Sequence, residues 1–204
     1  MSPYVGAQLD AAIAAAASYL ADARSPDRLW LDFGKRAGGS GDFGGGCIAF
    51  AAAASGALRE AVRDCTHALL PRQRTSGGWA FNERVPPDCD STAWVLLAMG
   101  TTTVSKPSMV LRALQYLLRH GSDDGFATYA REDGIERYIG ALPEQTAGWR
   151  GTHLCVTAAT THALLLHGVF DDARVRSAIA TLRDAQSSDG LWTSYWWQGS
   201  AYAT

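Results

Sequence analysis

The residues best placed to do chemistry are the acidic tripeptide Asp88-Cys89-Asp90. It follows the double proline Pro86-Pro87 and opens an apolar run that begins Ser91-Thr92-Ala93-Trp94. A carboxylate where a loop enters a buried element must be capped, paired or put to chemical use, because leaving it unpaired in an apolar setting is costly. An Asp after prolines at a helix start is an ordinary N-cap arrangement, so on the residues alone all three readings stay open. His153-Leu154-Cys155 takes the same place in a later segment, as aligning Thr157-Ala158 with Thr92-Ala93 shows. Its plain reading is a polar cap on a buried helix; the alternative is a histidine that hydrogen-bonds Asp90 and tunes it. Two sets of aromatic residues belong to the same inventory. Trp94 lies one helical turn past Asp90 on the same side, and Tyr195-Trp196-Trp197 ends a late loop. For Trp94 and Trp196, lining a cavity and packing a core are equally open. No Ser-centred nucleophile motif, phosphate loop or HExxH motif occurs. The run from Gly38 to Gly46 lacks the Lys and spacing of a phosphate loop and predicts a flexible connector.

Helices must position these groups. Residues 7–23 are dominated by alanine and predict a helix from propensity alone. Stretches 58–70, 109–120 and 175–186 carry apolar residues on one stripe, the pattern of amphipathic surface helices. Stretches 47–54, 92–99 and 154–166 are apolar on every side. One-faced and wholly apolar helices therefore alternate. A ring of helical hairpins explains this, with inner helices covered by outer ones and facing a central cavity. Strand signals are almost absent, so the expected class is all-α. The loops repeat too. Gln186 to Trp192 copies the Gln-x-x-x-Gly-x-Trp pattern of Gln73 to Trp79, each copy closing a one-faced helix. Weaker copies are Asp124-Gly125-Phe126 and the shorter Gln145 to Trp149. A Gln at a helix C-terminus can bond free carbonyls while an indole stacks beside it, stapling neighbouring hairpins.

Composition narrows the function classes. The 204 residues fit one domain, 1–204, and 47% apolar residues suffice for a core. A net charge of −2 without a basic run argues against a nucleic-acid partner. Cys47, Cys65, Cys89 and Cys155 stand far apart without a C-x-x-C pair, which predicts reduced thiols in a cytoplasmic protein. Nothing basic precedes the first apolar run, so no secretory signal is expected. The Ala-rich stretch 11–21 is too short to span a bilayer. A greasy substrate and peripheral contact with a membrane are both compatible with such a soluble chain.

Together these motifs carry a resemblance. The repeated Q-x-x-x-G-x-W loops resemble the QW repeats of the squalene–hopene cyclase and oxidosqualene cyclase superfamily. Asp88-Cys89-Asp90-Ser91-Thr92-Ala93 resembles the D-x-D-D-T-A acid motif of class II terpene cyclases, and Trp192 to Trp197 with Tyr202-Ala203-Thr204 is similar to their late repeats. The likeness runs from about Leu58 to the end. It implies an α/α toroid and proton-initiated cyclisation or isomerisation of a hydrophobic, isoprenoid-like substrate, with no cofactor and no metal. Asp90 takes the place of the general acid, with Asp88 beside it. Burial and Asp88 would raise the Asp90 pKa, while the positive end of the following helix would stabilise the carboxylate left behind. A cation formed there needs neighbours that neither react with nor solvate it; aromatic faces suit this, at up to about 2 kcal/mol each. Trp94, Cys89, Ser91, His153, Tyr195, Trp196 and Trp197 are the expected substrate contacts.

The chain departs from the pattern in two places. Ser91 stands where the motif has a further Asp, and about three and a half hairpins are present. An open ring leaves inner apolar faces in water, so a longer chain, a homo-oligomer or a partner segment is expected to complete it. Other chemistry on the same scaffold, such as a hydrolase or a non-terpene cyclase, and a non-catalytic lipid- or partner-binding subunit are the alternatives. Protein prenyltransferase β subunits share the toroid and bind zinc through Asp, Cys and His. Here Asp88, Cys89, His153 and Cys155 would be the set, but their spacing does not reproduce that motif.

Overall fold

A computed structural model describes residues 3–31, 38–56, 58–200 and 202. Its helices are α1 (Pro3–Asp22), α2 (Gly41–Ser55), α3 (Arg59–Leu69), α4 (Cys89–Gly100), α5 (Pro107–Arg119), the short α6 (Glu136–Ile139), α7 (Leu154–Leu166) and α8 (Ala173–Asp184). The all-round apolar helices α2, α4 and α7 pack side by side, and α3, α5 and α8 cover them from outside. On α4 every residue except Trp94 and Gly100 is buried. By contrast α3 buries only one face, through Ala61, Val62, Cys65, Thr66 and Leu69. The alternation of helix types therefore becomes an arc of hairpins, an all-α toroid architecture. Among the described residues one two-residue ladder interrupts it, pairing β1 (Gly121–Ser122) antiparallel with β2 (Gly125–Phe126).

The start of α2 differs from expectation. Where the sequence predicts a connector over 38–46, the helix begins at Gly41, and Gly44, Gly45 and Gly46 lie buried within it. Glycine inside a helix costs about 1 kcal/mol against alanine, and close packing overrides that preference. A Cβ on Gly46 would sit 2.8 Å from the backbone nitrogen of Val95 on α4. The two inner helices thus touch backbone to backbone, which only glycine permits.

The loops fasten each outer helix to its hairpin. Trp79 Nε1 donates to the Leu69 carbonyl (2.7 Å), and Gln73 Nε2 donates to the carbonyls of Gly77 (2.8 Å) and Met109 (2.9 Å). Trp192 Nε1 and Gln186 Nε2 repeat this on Leu182 (2.6 Å) and Gly190 (2.8 Å). A further copy escapes the sequence pattern. Trp30 Nε1 donates to the Leu20 carbonyl at 2.7 Å, again ten residues back. Arg24 stands in the Gln position and Arg28 in the Gly position. Arg28 has φ +65°, matching the positive φ of Gly77 and Gly190. The Phe126 copy is real as a backbone motif. Phe126 N–H donates to Thr157 Oγ1 (2.9 Å) as Trp79 N–H donates to Thr92 Oγ1 (2.9 Å). The Gln145 to Trp149 copy is not a staple: Gln145 Oε1 accepts from Leu142 N–H (2.8 Å) within its own turn. Among the described residues no helix is long and apolar enough to cross a membrane. The four cysteines form no disulfide with one another, and Cys65, Cys89 and Cys155 are buried.

Candidate active site

Asp88 caps α4. Its Oδ1 accepts from Ser91 N–H and its Oδ2 from the Ser91 hydroxyl, both at 2.7 Å. The serine at the departing motif position therefore completes the cap. Asp88 is 2% exposed. Burial pushes its carboxyl up to about 7, helped by the charge of Asp90 and opposed by the two Ser91 donors. Pro86-Pro87 bring the chain into this turn, and Tyr116 on α5 clamps it by donating to the Pro87 carbonyl (2.7 Å).

Asp90, in the first turn of α4, is 5% exposed. With Asp88 and Ser91 it lines a cavity of about 410 Å³. Six aromatic residues line it: Phe43 from α2, Phe81, Tyr129, Trp149, Trp196 and Trp197. Val85, Ile135 and Ile139 add aliphatic surface. The rings brace one another. Phe43 stacks between Phe81 (6.0 Å) and Trp197 (6.1 Å), and Trp149 meets Trp196 edge-on at 5.1 Å. Trp196 Nε1 donates to Thr128 Oγ1 (2.9 Å), tying the C-terminal segment to the loop before α6. Burial holds the Tyr129 phenol well above its ordinary pKa, so it stays neutral beside the cavity. The site thus sets a carboxyl side chain beside a hollow lined by aromatic, aliphatic and a few polar residues.

Of the residues singled out in the sequence, the cavity gathers Asp88, Asp90, Ser91, Trp196 and Trp197. Four others lie outside its lining. Cys89 points to α7, with Sγ 3.2 Å from Thr160 Oγ1, and burial pushes its thiol far up. Trp94 turns behind Asp90, its indole N–H on the Tyr202 hydroxyl (2.6 Å). His153 does sit on α7 as Asp88 sits on α4, since its N–H meets the Phe126 carbonyl (3.3 Å) as Asp88 N–H meets that of Trp79 (2.9 Å). Being one inner helix away, it pairs through Nε2 with the Gly148 carbonyl (2.8 Å) rather than with Asp90. Its ring stacks on Tyr195 at 3.6 Å, and partial burial lowers its pKa. Tyr195 is thereby held at the surface, 47% exposed. The conceivable zinc set is not assembled: among the described residues no three His, Cys, Asp or Glu side chains converge on one point.

Phe43, Phe81, Tyr129 and Trp149 line the cavity and Tyr202 meets Asp90, though none of the five is among the expected contacts: Trp149 and Tyr202 lie in the repeat motifs, and Phe43, Phe81 and Tyr129 in no motif at all. Phe43 hides in the glycine run, and Trp149 in the turn that imitates a staple. Asp42 occupies on α2 the place Asp90 occupies on α4, two residues past the N-cap. Arg72, itself partly exposed, takes it up in an ion pair off the cavity.

No family model and no curated protein matches the chain. Solved structures do. A protein from Actinoplanes is 30% identical, superposes with a TM-score of 0.77, and is matched over 93% of this chain and 56% of that one. The type II terpene cyclase MstE from Scytonema, without ligand, is 28% identical with a TM-score of 0.81 over 97% of this chain and 57% of that one. A variant of MstE in complex with its substrate, geranylgeranyl dihydroxybenzoate, is 27% identical with a TM-score of 0.82 over 97% and 56%. The chain spans a little over half the length of these structures. Its fold is that of a class II terpene cyclase-like α/α toroid.

Proposed function

We propose that this chain carries the acid-bearing part of a class II terpene cyclase, acting on a prenyl-type hydrophobic substrate. The observation that supports this most directly is the Asp90 carboxyl, 5% exposed on the wall of an aromatic cavity of about 410 Å³. That size falls within the roughly 300–1,000 Å³ of ordinary small-molecule sites. In this reading the Asp90 O–H breaks as a C–H bond forms at the terminal alkene, leaving a carboxylate and a tertiary cation. Trp196, Trp197, Phe43 and Trp149 face the cation with their rings and supply charge stabilisation without a nucleophile. The neutral Tyr129 phenol and the protonated Cys89 thiol do not intercept it. Asp88 holds the turn. The final charge leaves as a proton or is trapped by water.

Asp90→Asn tests the acid, because Asn keeps the size and most of the polarity of the side chain. Assayed on prenyl chains of graded length, beginning with geranylgeranyl dihydroxybenzoate, the variant is expected to lose turnover by roughly 10²–10⁴-fold. Its circular dichroism should stay that of the parent chain. Turnover at the parent rate would remove Asp90 from the acid role.

A further inference from the structure

A second hollow, of about 490 Å³, adjoins the aromatic cavity, and Tyr129 lines both. Along the two segments beside it the lining divides. Thr128, Thr146 and Trp149 belong to the cavity, whereas Ala127, Ala147 and Arg150 belong to the second hollow. Its chemistry is different. Three arginines border it, each from its own segment: Arg119 ends α5, Arg131 follows the Tyr129 loop, and Arg150 ends the turn before α7. His120 adds an imidazole, and among the described residues no carboxylate lines the hollow. Two acids pair with lining residues from outside it. Asp133 meets His120 Nε2 (3.3 Å) and accepts from Ala130 N–H (2.6 Å), and Glu136 accepts from Arg150 (2.6 Å).

The arginines keep donors unused. A guanidinium carries several N–H groups. Arg119 places one on the Ser76 carbonyl (2.9 Å) and lies over the Tyr116 ring. Arg150 gives one to Glu136, while its Nε–H is buried and has no partner among the described residues. Arg131 is exposed, and its guanidinium makes no hydrogen bond or ion pair with any described residue. A buried cationic donor without an acceptor is costly, and an oxygen bound in the hollow is the acceptor that Arg150 lacks.

We propose that this hollow is a binding site for a small phosphate-class anion, separate from the aromatic cavity and independent of whether Asp90 is an acid. The planar fork of a guanidinium matches oxyanions. A carboxylate has its two oxygens in one plane and satisfies one fork. Cations on three segments match oxygens on several sides, which phosphate and pyrophosphate present. A bound anion ties the end of α5 to the segments 127–131 and 147–152. Those segments already meet where Tyr129 N–H donates to the Trp149 carbonyl (3.4 Å), and they carry both rings to the cavity wall. Occupancy of the hollow therefore braces that wall.

The test titrates the full chain with inorganic pyrophosphate, followed by calorimetry and ³¹P NMR in metal-free buffer at constant ionic strength. One anion per chain should bind with a dissociation constant of about 1 mM or tighter. Acetate should bind at least about tenfold more weakly. Arg131→Gln is the diagnostic variant, because that guanidinium holds nothing in the fold. It should weaken pyrophosphate about tenfold and leave the melting temperature of the free chain unchanged. Arg119→Gln should act in the same direction. Arg137→Gln, exposed on α6 and outside the lining, should leave the affinity within about twofold. Absence of saturation, or equal losses in the Arg131 and Arg137 variants, would reduce the arginines to diffuse surface charge and overturn the proposal. Asp90→Asn should bind pyrophosphate as the parent chain does, whatever happens to its turnover, so failure of the cyclase reading leaves this site standing. Loss of binding in Asp90→Asn would put the anion in the aromatic cavity and overturn the second site.

Discussion

Three buried aspartates at the N-termini of inner helices meet different fates. Asp42 is paired with Arg72, Asp88 is consumed as a cap by Ser91, and Asp90, beside the cavity, accepts from the Tyr202 hydroxyl. Asp88 makes a prediction about stability and pH. Its folded pKa of about 7 lies above its ordinary value of 3.8, so the folded state holds the proton more tightly than the unfolded one. The corresponding stability is complete below about pH 4 and is lost as pH rises through about 7. The melting temperature should therefore fall between pH 5 and pH 8. Asp88→Asn, which keeps the cap acceptor, should flatten that slope, with Asp42, raised by its own burial, supplying the remainder. Asp172 works in the opposite sense but outside this window, its pKa being held at about 2 by Arg174. A slope that Asp88→Asn leaves untouched would mean that Asp88 stays ionised throughout.

At the scale of elements, the staples are what convert helices into hairpins. Trp79 is wholly buried and its indole N–H satisfies a carbonyl at the end of α3. Trp79→Phe leaves that carbonyl without a partner and should cost about 1–3 kcal/mol in denaturant unfolding, beyond any lost packing. The same change at Trp192, on a half-exposed loop, should cost less because water can reach the Leu182 carbonyl. An equal cost at both sites would contradict the assignment of burial as the deciding term. The glycine position of the staple offers a paired test. Arg28→Gly relieves a left-handed backbone and should raise stability by about 1 kcal/mol. Gly77→Ala should lower it by about 2 kcal/mol or more, since its Cβ would lie 2.4 Å from the Arg112 carbonyl oxygen at φ +101°.

The whole molecule is an arc with two open flanks. On one side α1 exposes Leu9, Ile13 and Tyr19; on the other, Leu166 and Phe170 are exposed. Beside them lies a shallow cleft between α7 and α8, bordered by Thr161, Leu165, Leu182 and Trp192. If these residues form continuous apolar patches, a second copy of the chain would cover them. By itself the chain is expected to associate as its concentration rises, with a sedimentation mass above that of one chain, and Ile13→Glu should shift that equilibrium toward the single chain. A single chain at every concentration would show that the flanks tolerate water.

Particular residues separate what was legible in the sequence from what was not. The alternation of one-faced and all-round apolar segments and the two Gln-x-x-x-Gly-x-Trp loops sufficed for an all-α ring of hairpins, because helix period and burial are local properties of the chain. The acidic turn could be placed at the mouth of an inner helix for the same reason. The first staple stayed hidden, since Arg24 and Arg28 keep its backbone geometry without its residue types. The start of α2 is not legible in the glycine run, because the backbone approach of Gly46 to Val95 outweighs the poor helix propensity of Gly44, Gly45 and Gly46. Which groups face the cavity was decided by tertiary structure alone. Tyr202 reaches Asp90 across 112 residues and Trp196 reaches Thr128 across 68, whereas His153, in the matching place on its own helix, is carried away from Asp90 by the spacing of neighbouring helices. Chain periodicity fixes which side of a helix is buried; only the packing of helices against each other fixes what that side meets.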